Sequence, residues 1–195
     1  MNVIEAIHKR RAVRRYKPDP VSRTDIHTVL DAANWAPSGM NRQQWEFLVV
    51  TGEKIRRMGE SYLRISEEFT RNWDAMPMRG TLSREEFLRF AVTYGGAPVV
   101  IVVLTPTDLL PDLRKMNIES ASAAMENLLL AATELGLGTC WMTGPLRDEK
   151  MLRSLLAIPE TKEIVAITPL GYPADTPKDQ PRLDPALERN VRWVE

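Results

Sequence analysis

A long helix is written into residues 117–135. Its apolar positions, Ala121, Ala124, Met125, Leu128, Leu129, Ala132 and Leu135, recur at the three-and-four spacing of one helical face. Asn117 stands where an N-cap is expected, and Gly136 where a glycine in left-handed backbone ends a helix. The run Ala121, Ser122, Ala123, Ala124 is small enough to let another backbone come close.

Strand and helix signals surround it. Trp45–Val50 reads as a buried strand; Val99–Leu104 (opened by Pro98), Thr139–Met142 and Ile164–Leu170 read as further strands. Val3, Ile4 and Ile7 open a helix that Pro18 and Pro20 stop around Tyr16. Ser22 caps a second helix, carrying Ile26, Val29, Leu30 and Ala33 to about Trp35. From Glu53, the stripe Ile55, Met58, Tyr62, Ile65 and Phe69 marks an amphipathic helix. Shorter helices run from Ser83 to near Gly95-Gly96 and from Asp148 to Leu156. No repeat or linker divides the chain, so residues 1–195 read as one α+β domain, with a stretch at about 60–94 long enough to be a lid and a Pro-rich extended tail over 173–195.

Several function classes are excluded early. Lys plus Arg and Asp plus Glu both number 26, which gives no support to a protein held on nucleic acid by a basic surface. The only cysteine, Cys140, has no disulfide partner within the chain, and two histidines make no zinc cluster. The opening MNVIEAIHKRR is charged where a signal peptide is apolar, and Val99–Leu104 is far below the roughly 18 residues that span a bilayer. The expectation is a cytoplasmic protein with no membrane or nucleic-acid partner. Ser38-Gly39 lacks the frame of a nucleophile elbow, and Trp141 stands where a dinucleotide fingerprint begun at Gly136 and Gly138 needs glycine.

Five segments carry the remaining chemistry. Arg10, Arg11, Arg14 and Arg15 form a basic run; on a helix Arg10 and Arg14 share a face and can grip one phosphate, whereas the ordinary reading is a solvated face. The loop Pro37–Trp45 is rich in amides and hydroxyls, suited to the edge of a polar heterocycle or to a polyol. In Gly136–Pro145, the small residues Thr143 and Gly144 let backbone N–H groups approach a ligand. Gly171-Tyr172-Pro173 closes the last strand, and Arg182 sits in the tail as a second phosphate ligand.

Together these segments, RR-x-V-R, PS-x-x-N-x-Q-x-W, GLG-x-CW, LGYP and a late Arg, resemble the nitroreductase family of FMN-dependent oxidoreductases, in order and over nearly the whole chain. The resemblance implies a mostly antiparallel sheet flanked by helices, and an interwoven homodimer with FMN at the subunit interface. It places Arg10, Arg11, Ala12 and Arg14 at the phosphate, ribityl and pyrimidine end, with Arg182 and Lys178 completing the phosphate site. Pro37, Ser38, Gly39, Asn41 and Gln43 would come from the partner subunit. Trp141, Met142, Thr143 and Gly144 would lie along the ring, with the Thr143 or Gly144 N–H toward flavin N5 and Arg14 favouring the reduced form. The implied reaction is ping-pong: hydride from NADH or NADPH, then reduction of an electron-poor acceptor such as a nitroaromatic, quinone, flavin or activated alkene. Reductive dehalogenation or flavin fragmentation is the alternative within the superfamily; a non-enzymatic anion-binding module is the alternative outside it. The chain departs from the family pattern at Ala12 (commonly Ser), Gln44 (commonly Pro) and Thr143 (Glu in some members).

Overall fold

The computed structural model describes residues 1–73, 82–177 and 181–195. Four strands form one antiparallel sheet in the order β1 (Glu46–Thr51), β2 (Val99–Pro106), β4 (Lys162–Gly171), β3 (Gly138–Thr139). The unbroken apolar run of β2 has a direct cause: both faces of the sheet are covered. Val99, Ile101 and Val103 point to α2 (Arg23–Asn34) and α5 (Pro111–Glu134). Val100, Val102 and Leu104 point to α3 (Glu53–Phe69), α4 (Arg84–Thr93) and α6 (Glu149–Leu156). Met125, Leu128 and Leu129 of α5 are buried on the first face, where truncating one to alanine costs about 2–5 kcal/mol.

Local signals account for most helix ends. The Ser22 Oγ accepts the Asp25 N–H at 3.0 Å, and Ser83 and Glu86 form a reciprocal capping box on α4. Gly136 follows α5 with φ 71°.

Three expectations are corrected. The first helix, α1 (Val3–Lys9), ends at Arg10 and not near Tyr16, because the backbone of residues 12–17 is engaged by Thr139, Gly95 and Tyr172. Arg10 and Arg14 therefore share no helical face; three residues of extended chain lie between them. The long helix begins at Pro111 and not at Asn117: proline at the first position gives up no needed N–H and pre-sets φ. Asn117 is buried inside that helix and bonded to other segments. Strand β1 is an edge strand in which Val50 alone is buried, so the reading of Trp45–Val50 as a buried strand fails at the sheet margin.

Of the small residues on α5, Ala121 and Ala124 face the chain's own core. Within residues 60–94, Tyr62, Phe90 and Tyr94 are core residues of the second face, and 74–81 lie outside the described residues. The tail over 181–195 has no helix or strand; Asp184 there accepts the N–H groups of Glu188, Arg189 and Asn190.

Candidate active site

Residues 10–17 form an extended strap across the end of the sheet. The Val13 N–H donates to Thr139 at 2.8 Å, Tyr16 to Gly95 at 2.9 Å, and Lys17 to Tyr172 at 2.8 Å. Ala12 bridges Thr139 and Tyr16 bridges Pro173. This pairing seats the basic run beside residues 139–144. Arg10 lies 3.8 Å from Glu126, Arg11 donates to the carbonyls of His8 and Arg10, and Arg15 pairs with Asp175 at 2.8 Å. Arg14 differs from all of these. It is half-buried and, among the described residues, no carboxylate pairs with it, although its field reaches Tyr16, Tyr62 and Cys140. A guanidinium partly withdrawn from water without a counter-charge is costly, and it marks a place prepared for an anion.

The second component is the run Cys140–Gly144. Met142 exchanges both backbone hydrogen bonds with Ile167, at 2.8 and 3.0 Å, and its side chain is buried. Cys140 is buried too, while the Trp141 indole and Thr143 face outward. Neither the Thr143 nor the Gly144 N–H has an acceptor among the described residues. A side chain at 144 would strike Tyr62, whose hydroxyl lies 2.7 Å from the Cβ it would carry. In the sequence Tyr62 is a member of an apolar stripe within the candidate lid stretch; its place against Gly144 emerges from the packing of α3 on the 3-10 turn Gly144–Asp148.

Ionisable groups here are held away from neutrality. Burial pushes Tyr16 well above its ordinary value and raises Tyr62 to about 12. Burial also raises the Cys140 thiol, against the pull of Arg14 and Arg10. These three groups stay protonated at neutral pH, so they offer placed dipoles and not proton exchange.

The third component, loop 37–44, stands apart. Ser38 accepts the Gln43 N–H at 2.9 Å, and Met40, Asn41 and Gln43 all adopt left-handed backbone, with φ of 55°, 53° and 50°. Beneath it, Gln44 donates to Asn117 at 3.0 Å and to Ser120 at 3.1 Å; the Gly39 N–H donates to Ser120, and Thr105 donates to the Gln44 carbonyl. Among the described residues, the loop's hydrogen bonds outside itself go to α5 and β2, and none to the strap. One chain thus presents two separate features: a cationic strap, and an exposed loop of amides and hydroxyls. Arg182 lies exposed in the tail without a bonded partner among the described residues, and Lys178 falls outside them.

The chain matches the model of the nitroreductase family over residues 7–172. A protein of Archaeoglobus fulgidus, provisionally named an NADH dehydrogenase/NAD(P)H nitroreductase, is 35% identical over 88% of this chain and 86% of its own. The iodotyrosine deiodinase of Thermotoga neapolitana is 34% identical over 94% of this chain and 95% of its own. A solved iodotyrosine deiodinase, bound to FMN and 3-iodo-L-tyrosine, superposes with a TM-score of 0.78 at 32% identity, covering all of both chains. The mixed antiparallel sheet and helix architecture, the ordered segments and these matches agree: the chain belongs to the nitroreductase family.

Proposed function

We propose that this protein is an FMN-dependent NAD(P)H oxidoreductase whose site is assembled between two copies of the chain. The observation that carries the reading is Arg14, half-buried with no carboxylate partner among the described residues, on the strap that pairs with Thr139 and within electrostatic reach of Cys140 and Tyr62. Those residues fit a flat anionic cofactor. Arg10, Arg11 and Arg14, with Arg182 from the tail, would hold its phosphate and polar end. Thr143 and Gly144 would supply backbone donors, and Trp141 an apolar face. Loop 37–43 would close the site from the partner subunit, which accounts for its exposure and its separation from the strap in one chain.

When bound, FMN supplies hydride uptake from NAD(P)H and, in a second half-reaction, delivery to an electron-poor acceptor. The chain's part is placement. Arg14 would offset the negative charge gained on reduction, and the buried Tyr62 keeps its proton throughout the working pH range. Exposed apolar side chains support self-association: Val3, Ile4 and Ile7 on α1, Trp35, Met40, and Trp193 and Val194 in the tail. No helix among the described residues is long and apolar enough to cross a membrane.

The test is the visible spectrum of freshly purified protein, recorded anaerobically before and after NADH or NADPH. Flavin bands that bleach, and return when a nitroaromatic is added, support the reading. Absence of flavin, with none taken up from added FMN, refutes it. A second reading, reductive dehalogenation on the same cofactor, is favoured by the deiodinase likeness. Iodide release from 3-iodotyrosine, faster than nitroaromatic reduction, would select it.

A further inference from the structure

The Thr143–Gly144 turn borders a cavity of about 240 Å³, walled by the rings of Tyr62, Phe69 and Phe87. It is smaller than the roughly 300–1,000 Å³ typical of drug-sized sites, and suits a single aromatic ring. Its polar lining includes Arg147 and Ser66 besides Thr143 and the Tyr62 hydroxyl. The Arg147 guanidinium sits over the Phe69 ring, 4.1 Å from its centroid. No carboxylate pairs with it among the described residues, in contrast to Arg56, Arg64, Arg89, Arg114 and Arg153. A guanidinium held against a ring face keeps its in-plane N–H groups free, the geometry that takes a carboxylate in two parallel hydrogen bonds. Ser66 is 2% exposed, and its Oγ faces the Tyr62 hydroxyl without a hydrogen bond of normal geometry. A buried hydroxyl left in this way costs stability unless something else bonds to it.

Resting on the oxidoreductase reading, we propose that this cavity is the acceptor's specificity site, and that it selects a single-ring aromatic carrying a carboxylate, which Arg147 binds. The ring would stack among Tyr62, Phe69 and Phe87, with Ser66 offered to a polar substituent. The side chains of this cavity come from α3, α4 and the 3-10 turn Gly144–Asp148, so the site adjoins Gly144 without using the strap or loop 37–43.

The test uses the flavin-loaded protein, with benzoate and benzamide as a charged and a neutral probe of similar shape. Calorimetry of the wild type should give at least about tenfold tighter binding of benzoate, the worth of one charge-assisted pair. Arg147→Gln should remove that preference and Arg147→Lys restore part of it. In turnover, Arg147→Gln should raise KM for 4-nitrobenzoate about tenfold while KM for nitrobenzene moves by less than about twofold. A wild type that does not distinguish the two probes overturns the inference, and this arm needs no variant to fold. Equal changes in KM for both nitro compounds, or a rise in KM for NAD(P)H alone, also overturn it. In each of those cases, bleaching of the flavin by NAD(P)H still stands for the oxidoreductase reading. Protein that retains no flavin overturns that reading and this inference with it.

Discussion

The cationic strap and the amide loop are held in place by different means. The strap is seated by backbone pairing with Thr139, Gly95 and Tyr172, so its position comes from the sheet end itself. Loop 37–43 has no such pairing outside itself; three of its residues take left-handed backbone, each costing on the order of 1–2 kcal/mol outside glycine. What holds the loop is the buried amide of Gln44 on Asn117 and Ser120. The strap is therefore as stable as the fold, whereas the loop is a strained surface kept in shape by one side-chain network. Strain concentrated there is consistent with a surface that a ligand or partner covers.

Mutations can break or sharpen this contrast. The largest effect is expected for Gly95→Ala. Gly95 has φ 71°, and an added Cβ would lie 2.4 Å from the Arg14 carbonyl oxygen. Left-handed backbone and the clash together should cost about 2–4 kcal/mol in chemical denaturation. A loss below about 1 kcal/mol would mean that the strap is not seated by the fold.

Arg14→Ala should separate binding from stability. FMN affinity, measured by titrating apoprotein and following flavin fluorescence, should fall about ten- to a hundredfold while the melting temperature barely changes. Gln44→Ala should do the opposite of separating them. It leaves the Asn117 Oδ1 buried without its donor, costing about 1–3 kcal/mol, and it frees the loop, so stability and FMN affinity fall together. If Gln44→Ala lowers stability alone, the loop takes no part in the cofactor site.

The smallest effect belongs to the anchor of residues 144–148. The Ser61 hydroxyl donates to Asp148 at 2.5 Å and Arg64 pairs with it, holding this carboxyl below its ordinary value of 3.8. A lowered folded value means that the contribution is complete above the unfolded value and is lost as pH falls through the folded one. Asp148→Asn should therefore cost less than about 1 kcal/mol at neutral pH. The gap in melting temperature from wild type should close below about pH 4.

The sequence was most legible where local chemistry and periodicity agree. Ser22, Ser83 and Gly136 mark helix ends as read, and Ile55, Met58 and Tyr62 of the amphipathic stripe are buried as read, whereas its last residue, Phe69, is exposed. It misled where tertiary pairing overrides local pattern. HKRRAVRRY is compatible with a helix until Thr139, Gly95 and Tyr172 claim its backbone. Asn117 mimics a cap because it precedes the apolar stripe, but its amide serves Gln44 and Pro106 instead. The basic run, the amide loop and Thr143–Gly144 could be named as segments beforehand. Tyr62 behind Gly144, the thiol of Cys140 beneath two guanidiniums, and Arg147 on Phe69 could not, because each depends on elements distant in sequence.

The central claim is that each cofactor site takes its strap from one chain and its loop from another. Mixing two defective variants tests it most directly. Arg14→Ala removes the cation that has no carboxylate partner among the described residues; Gly39→Val adds a branched side chain to the loop, its Cβ 2.2 Å from the Met116 Sδ, which must give way. Each variant alone should retain little FMN. Unfolded together in equal amounts and refolded, half of the dimers are mixed, and each mixed dimer has one site with an intact strap and an intact loop. The account predicts that bound FMN recovers to about a quarter of the wild-type level. No recovery above the separate variants, with mixed dimers demonstrated to form, would place strap and loop in the same chain and contradict it.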